Sequence, residues 1–101
     1  MQIELAVTID DYIDLALSRQ RVQSERELGR MLGFRGSPVN HWRTRRAWPA
    51  DETMVRLAQL AGVDPVWALV ELNIWRAPPG DVRKGYEALK GLLERSRGAA
   101  A

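Results

Sequence analysis

Residues 24–49, SERELGRMLGFRGSPVNHWRTRRAWP, decide the fold. Ser24-Glu25-Arg26-Glu27 has the form of a capping box, in which the serine satisfies an amide one turn in and Glu27 reaches back to the cap. A short helix therefore starts at Ser24. Leu28, Met31 and Leu32 make its buried face, and Gly29 between them, a poor helix former, points to another helix crossing close by. Gly33 is a natural left-handed stop. Phe34-Arg35-Gly36 turns the chain, and Ser37 followed by Pro38 repeats a start signal, a cap and then the one helical position where proline loses nothing. Val39 and Trp42, three apart, point inward and leave Asn40, His41, Arg43 and Thr44 on or near the open side. Trp48-Pro49 closes this helix. The stretch thus reads as helix, tight turn, helix, with the motif over about residues 24–46.

Upstream, Met1 to Val7 alternates loosely and fits an extended arm as well as an early helical turn. Thr8 is an N-cap, Asp10 and Asp11 complement the helix dipole, and Ile9, Tyr12, Ile13, Ala16 and Leu17 form one apolar stripe of a helix ending near Arg19. Arg19 to Gln23 is a polar connection. Downstream, Ala50 or Asp51 opens a fourth helix packed through Met54, Val55, Leu57, Ala58, Leu60 and Ala61 and stopped by Gly62. Asp64-Pro65 starts a fifth, from about Val66 to Trp75. Val66, Trp67, Leu69, Val70, Leu72, Ile74 and Trp75 cannot all face one small core, so either the last helix or a second copy must cover part of that helix. Ala77-Pro78-Pro79-Gly80 breaks the chain. Asp81 caps a last helix from about Val82 to Arg97, striped by Val82, Tyr86, Leu89, Leu92 and Leu93, and residues 98–101 are expected as a disordered tail.

The expected class is all-α. A chain of 101 residues, 46% apolar and 28% charged, suits one modest core. No apolar run approaches the roughly 20 residues that span a bilayer, and the acidic N-terminal segment lacks a secretory signal's basic head, so a cytoplasmic location is expected. With no cysteine and one histidine, thiolate zinc sites and disulfides drop out and no metal or cofactor is expected. The net charge of +2 conceals a strong partition: residues 1–18 carry −4, residues 19–48 carry +6 through eight arginines against Glu25 and Glu27, and residues 49–101 balance. Such a local arginine excess is the footprint of a phosphate-binding surface, although a solvated helix face produces some of it.

Ser24, Glu27-Leu28-Gly29, Leu32-Gly33, Val39 and Trp42, followed by Pro49, Glu52, Leu57-Ala58, Leu60-Ala61-Gly62-Val63 and Pro65, together resemble the lambda-repressor-like (Cro/repressor, XRE-type) helix-turn-helix family. The likeness covers about Thr8 to Asn73 and is nearest to small phage-related transcriptional regulators. It implies a five-helix DNA-binding domain over residues 1–76, an additional C-terminal helix over 77–97, and operator binding as a dimer with the second helix of the motif as reader. Two departures stand out. Gly36 sits where many relatives carry a polar base-contacting side chain, and Pro38 removes another, which shifts base reading to neighbours.

The major groove admits one helix, and its base edges are told apart by matching donors and acceptors. Asn40 suits adenine, Arg43 or Arg35 suits guanine, and Ser37 and His41 suit single bonds. Those five are the candidate base readers. Ser24, Thr44, Arg45 and Arg46, with Arg26 and Arg30, are the candidate phosphate contacts. Trp42 fits the core better than a base stack, and His41 has no Ser, Asp or Cys constellation that would make it a general base. With no paired-carboxylate site, metal set or nucleophile motif, no enzyme is expected. The dimer surface is sought among Trp67, Val70, Ile74, Trp75, Tyr86, Leu89 and Leu93, since a twofold pair spaced about 34 Å reads two successive grooves. The alternative is a protein-interaction module, an antitoxin or adaptor, that uses the same fold as a scaffold.

Overall fold

The computed structural model describes the backbone of residues 6–100 and the side chains of residues 6–97. Six helices follow one another: α1 (Ile9–Gln20), α2 (Glu25–Met31), α3 (Val39–Arg43), α4 (Asp51–Ala61), α5 (Pro65–Arg76) and α6 (Asp81–Ala100). Among the described residues there is no strand, so the fold is all-α. Of the N-terminal arm, residues 1–5 lie outside the described residues, while Ala6 is buried and Val7 exposed just ahead of α1.

Local chemistry accounts for most of the boundaries. The Thr8 hydroxyl accepts from the Asp11 N–H, and the Asp11 carboxylate accepts from the Val7 and Thr8 amides at 2.9 and 3.0 Å, a closed capping box. Ser24 caps α2 through the Glu27 N–H at 3.1 Å, and Asp64 caps α5 through the Val66 N–H at 2.8 Å. Four helices end alike, on a left-handed residue whose own amide and the next reach back three and five residues: Arg21, Gly33, Arg45 and Gly62. Gly33 (φ 93°) and Gly62 (φ 75°) take that conformation freely, whereas Arg21 (φ 55°) and Arg45 (φ 62°) carry the steric cost of a Cβ.

Three expectations are corrected. Ser37 does not cap α3; Pro38 itself takes helical dihedrals (φ −74°, ψ −9°) and its carbonyl accepts from His41 and Trp42. The same helix stops at Arg43 and turns at Arg45, well before Trp48-Pro49, because the left-handed turn satisfies its last carbonyls early. Finally, α6 continues through Gly98 to Ala100, expected as a disordered tail, since nothing after Arg97 in Gly-Ala-Ala forces a stop; Ala101 lies outside the described residues.

The helices α1, α4 and α5 pack in succession, α6 lies on α5, and α2 and α3 sit together against α1. Tyr12, Ile13 and Ala16 meet Met54, Leu57, Ala58, Ala61, Ala68 and Leu72 in one core, which Leu28, Val39 and Trp42 join. Gly29 answers to a close approach, but of the turn instead of a crossing helix: a Cβ there would lie 3.0 Å from the Gly36 carbonyl oxygen. Phe34 packs edge-on against Trp42 at 6.2 Å and fixes the same turn. At the other side of the core Trp48 stacks on Trp75, which stands edge-on to Tyr12.

One buried charge interrupts the apolar run of α5. Glu71 is 1% exposed; it accepts from the Tyr12 hydroxyl at 2.5 Å and from the Lys90 ammonium at 3.2 Å, so α1, α5 and α6 meet on one carboxylate. Lys90 also lies over the Trp67 ring at 5.2 Å. Arg97 pairs with the Asp64 cap and pins the far part of α6, and Arg83 Nε donates to the Ile74 carbonyl oxygen. The last helix is thus the cover that the apolar α5 required.

Burial pushes the Glu71 carboxyl above its ordinary value, against the opposing Tyr12 and Lys90 bonds. A raised acid holds its proton in the folded state after the unfolded chain has released it, so stability falls as pH rises through that window. Glu71→Gln removes this dependence, and its melting temperature relative to wild type should therefore climb as pH rises above the ordinary carboxyl value of about 4.5. Arg21→Gly, which relieves the left-handed Cβ at an exposed position, should stabilise the chain by about 0.5–1 kcal/mol in urea unfolding.

Candidate nucleic-acid interface

The five residues of α3 form about a turn and a half, and their wheel positions divide it sharply. Val39 and Trp42 are buried, while Asn40, His41 and Thr44 lie exposed on the far side. Arg43 falls next to Val39 on the wheel and turns inward to the acidic start of the chain.

Its guanidinium is fully engaged. Nε donates to Glu25 Oε2 at 2.7 Å, Nη1 to Asp10 Oδ1 at 3.2 Å and Nη2 to Asp14 Oδ1 at 2.6 Å, so one side chain ties α3 to both α1 and α2. Burial works against its charge, and the bonds to Asp14 and Glu25 outweigh that and hold it above its ordinary value. Arg45 adds a second tie: Nη2 donates to Asp10 Oδ2 at 3.0 Å, and Nη1 donates to the carbonyls of Trp42 and Arg43. It also lies 5.7 Å from the Trp48 ring. Arg45 in turn holds the Asp10 carboxyl below its ordinary value, burial opposing and Arg43 assisting.

Of the arginines expected at the interface, Arg43, a candidate base reader, and Arg45, a candidate phosphate grip, are both engaged by carboxylates of the same chain. Ser24 and Thr44 are occupied too, the first by the α2 cap and the second by donating to the Asn40 and His41 carbonyls. What stays open is Arg35, Ser37, Asn40 and His41 along the turn and α3, with Arg26 and Arg30 one turn apart on α2 and Arg46 after α3. All seven are exposed, and none of these four arginines has an acidic partner among the described residues. Glu27 is the one exposed acid of α2 and α3.

Sequence reasoning overlooked Asp10, Asp14 and Glu25 as the partners of Arg43. Their signal was present in the −4 segment that directly precedes the arginine-rich one, with Asp10 and Asp14 one turn apart on a face of α1. It also overlooked Glu71, whose isolation among apolar neighbours on α5 was the corresponding mark.

The dimer candidates are for the most part inside the chain. Trp67 and Val70 are buried, Trp75 is sandwiched between Trp48 and Tyr12, and Ile74, Tyr86 and Leu93 are half-buried. Only Leu89 of the seven is exposed, because α6 covers α5 within one chain. Among the described residues no three His, Cys, Asp or Glu side chains are arranged to hold a metal ion, and no helix is long and apolar enough to cross a membrane.

Arg43→Met keeps much of the stem but leaves three carboxylates facing one another around the lost guanidinium. It should destabilise the chain by about 1–3 kcal/mol in chemical unfolding. Comparison with protein-family models, curated proteins and solved structures finds no match to this chain.

Proposed function

We propose that the chain is a sequence-specific, double-stranded-DNA-binding transcriptional regulator with a lambda-repressor-like helix-turn-helix domain, acting as a phage or prophage repressor that occupies an operator. The observation that carries this reading is the contrast among the arginines of the motif. Arg43 and Arg45 have their carboxylates, while Arg26, Arg30, Arg35 and Arg46 around the same two helices have none among the described residues. Unpaired arginines on a face that also exposes Ser37, Asn40 and His41 suit phosphate contacts flanking a short base-reading segment.

The division of labour follows from side-chain chemistry. Arg26, Arg30 and Arg46 bind phosphate; Asn40 reads adenine in bidentate fashion; Arg35 reaches a guanine edge; Ser37 and His41 make single bonds. Arg43 and Arg45 serve as the clamp that sets the angle of α3. A helix of five residues is only about 7.5 Å long and spans about two base pairs, so one copy reads little sequence. Binding by a homodimer to a palindromic operator supplies the remaining discrimination. The mechanism is occupancy, with no chemical step.

Selection of bound duplexes from a random pool, followed by titration at several salt concentrations, tests the proposal. The logarithmic salt slope should be about −3 per copy for three phosphate-facing arginines. Arg30→Ala and Arg46→Ala should weaken all sequences alike and flatten that slope by about 1 each, whereas Asn40→Ala should cost about 1–3 kcal/mol at one base pair only. A Cβ at Gly36 meets nothing within 4 Å, so Gly36→Arg should fold normally and bind DNA more tightly. No binding at low salt turns the reading towards the protein-interaction module.

A further inference from the structure

The outer surface of α6 carries an apolar stripe that nothing else among the described residues covers. Val82, Leu89 and Leu92 are 62%, 42% and 56% exposed, and with Gly85 they recur at steps of three, four and three residues, the spacing of a helix-pairing seam. The stripe is distinct from the inner side of the same helix, where Tyr86, Lys90, Leu93 and Arg97 are half-buried and the last three hold the core, Glu71 and Asp64. Gly85 is unexplained by the monomer. It lies inside a helix, where glycine is unfavourable, and a Cβ there would meet nothing within 4 Å. It lies in a shallow, open hollow of about 310 Å³ lined by Asp81, Val82, Gly85, Tyr86 and Leu89.

Hollow and protrusion are placed symmetrically about one point. The midpoint of Gly85 and Leu92 falls half a residue before Leu89, so a twofold axis there seats Leu92 of each copy in the Gly85 hollow of the other. Leu89 then meets its own mate. This is the self-complementarity of an isologous contact, in which one patch serves both sides. The charges on the stripe's rim agree. Asp81 stands at its start and Arg95 at its end, on the same side of the helix wheel. Antiparallel pairing sets Asp81 of each copy beside Arg95 of the other, with Lys84 farther out on the same rim, whereas parallel pairing keeps Asp81 and Arg95 at opposite ends and brings no such pair together.

We infer that α6 pairs antiparallel with α6 of a second copy through Val82, Gly85, Leu89 and Leu92, forming the seam of a homodimer. This surface supplies the twofold pair invoked for operator binding, yet it is tested without DNA, so failure of the seam and failure of the DNA reading are told apart. Sedimentation of the full chain should give a dimer mass. Leu89→Glu places two carboxylates at the axis and should raise the dissociation constant at least about 100-fold, while an unchanged helical circular dichroism spectrum shows that the monomer stays folded. Asp81→Arg and Arg95→Asp should each weaken the dimer, and the double exchange should restore it. Gly85→Leu should also weaken it by filling the hollow. A chain that remains monomeric at about 1 mM, the weak end of specific association, overturns the inference. A dimer indifferent to Leu89→Glu overturns the surface, and a double exchange that fails to restore pairing overturns the antiparallel register.

Discussion

Arg43 and its three carboxylates hold α3 in place. A five-residue helix is far below the length at which helices persist alone, and fixing its backbone costs about 5–10 kcal/mol at 1–2 per residue. Burying Val39 and Trp42 returns about 3–6 kcal/mol, which leaves α3 short of holding its own position. The bonds from Arg43 to Asp10, Asp14 and Glu25, with Arg45 sharing Asp10, add to that burial and orient α3 against two helices at once. The open face of α3 is therefore defined by what its inward side grips.

The clamp makes α1 the common support of the molecule. Its first two turns hold α3 through Asp10 and Asp14, while Tyr12, between them in sequence, reaches the opposite way to Glu71 on α5. Glu71 in turn holds Lys90 of α6. Two separate polar links, one on each side of α1, thus tie α3 to α1 and α1 to α5 and α6. In a twofold pair the separation and tilt of the two α3 helices are then set by rigid contacts, which is the property that half-site spacing demands.

The sequence was legible wherever a boundary depended on local chemistry. Thr8, Ser24, Asp64, Gly33 and Gly62 cap or stop helices as their residue types require, and the apolar stripe of α1 is the buried one. It was illegible where a non-local partner decided. Nothing within five residues of Arg43 distinguishes it from Arg46, and only the tertiary approach of α1 separates a clamp from a free cation. Arg21 and Arg45 likewise end helices without glycine, because surrounding contacts outweigh the Cβ cost. The overlong apolar face of α5 was read as a problem needing a cover, but its solution required knowing that Lys90 and Arg97 bring α6 back over it.

The same contrast changes what the charge of the chain means. Eight arginines in residues 19–48 suggest a broad cationic surface, yet two of them neutralise carboxylates of α1 and α2, and Arg19 lies so close over Gly62 that a Cβ there would meet its guanidinium at 2.7 Å. Arg21 ends α1 in the left-handed conformation. Four remain around α2 and α3. The acidic first segment and the basic middle one are therefore parts of a single device: the acids of α1 fasten the arginines that shape the motif, and the arginines left unfastened are the ones able to release counterions from a nucleic acid. Charge held in an internal pair adds little to such a surface, since its field is already cancelled at short range. Under the proposed function, affinity follows the number of unpaired arginines, and specificity follows the rigidity given by the paired ones.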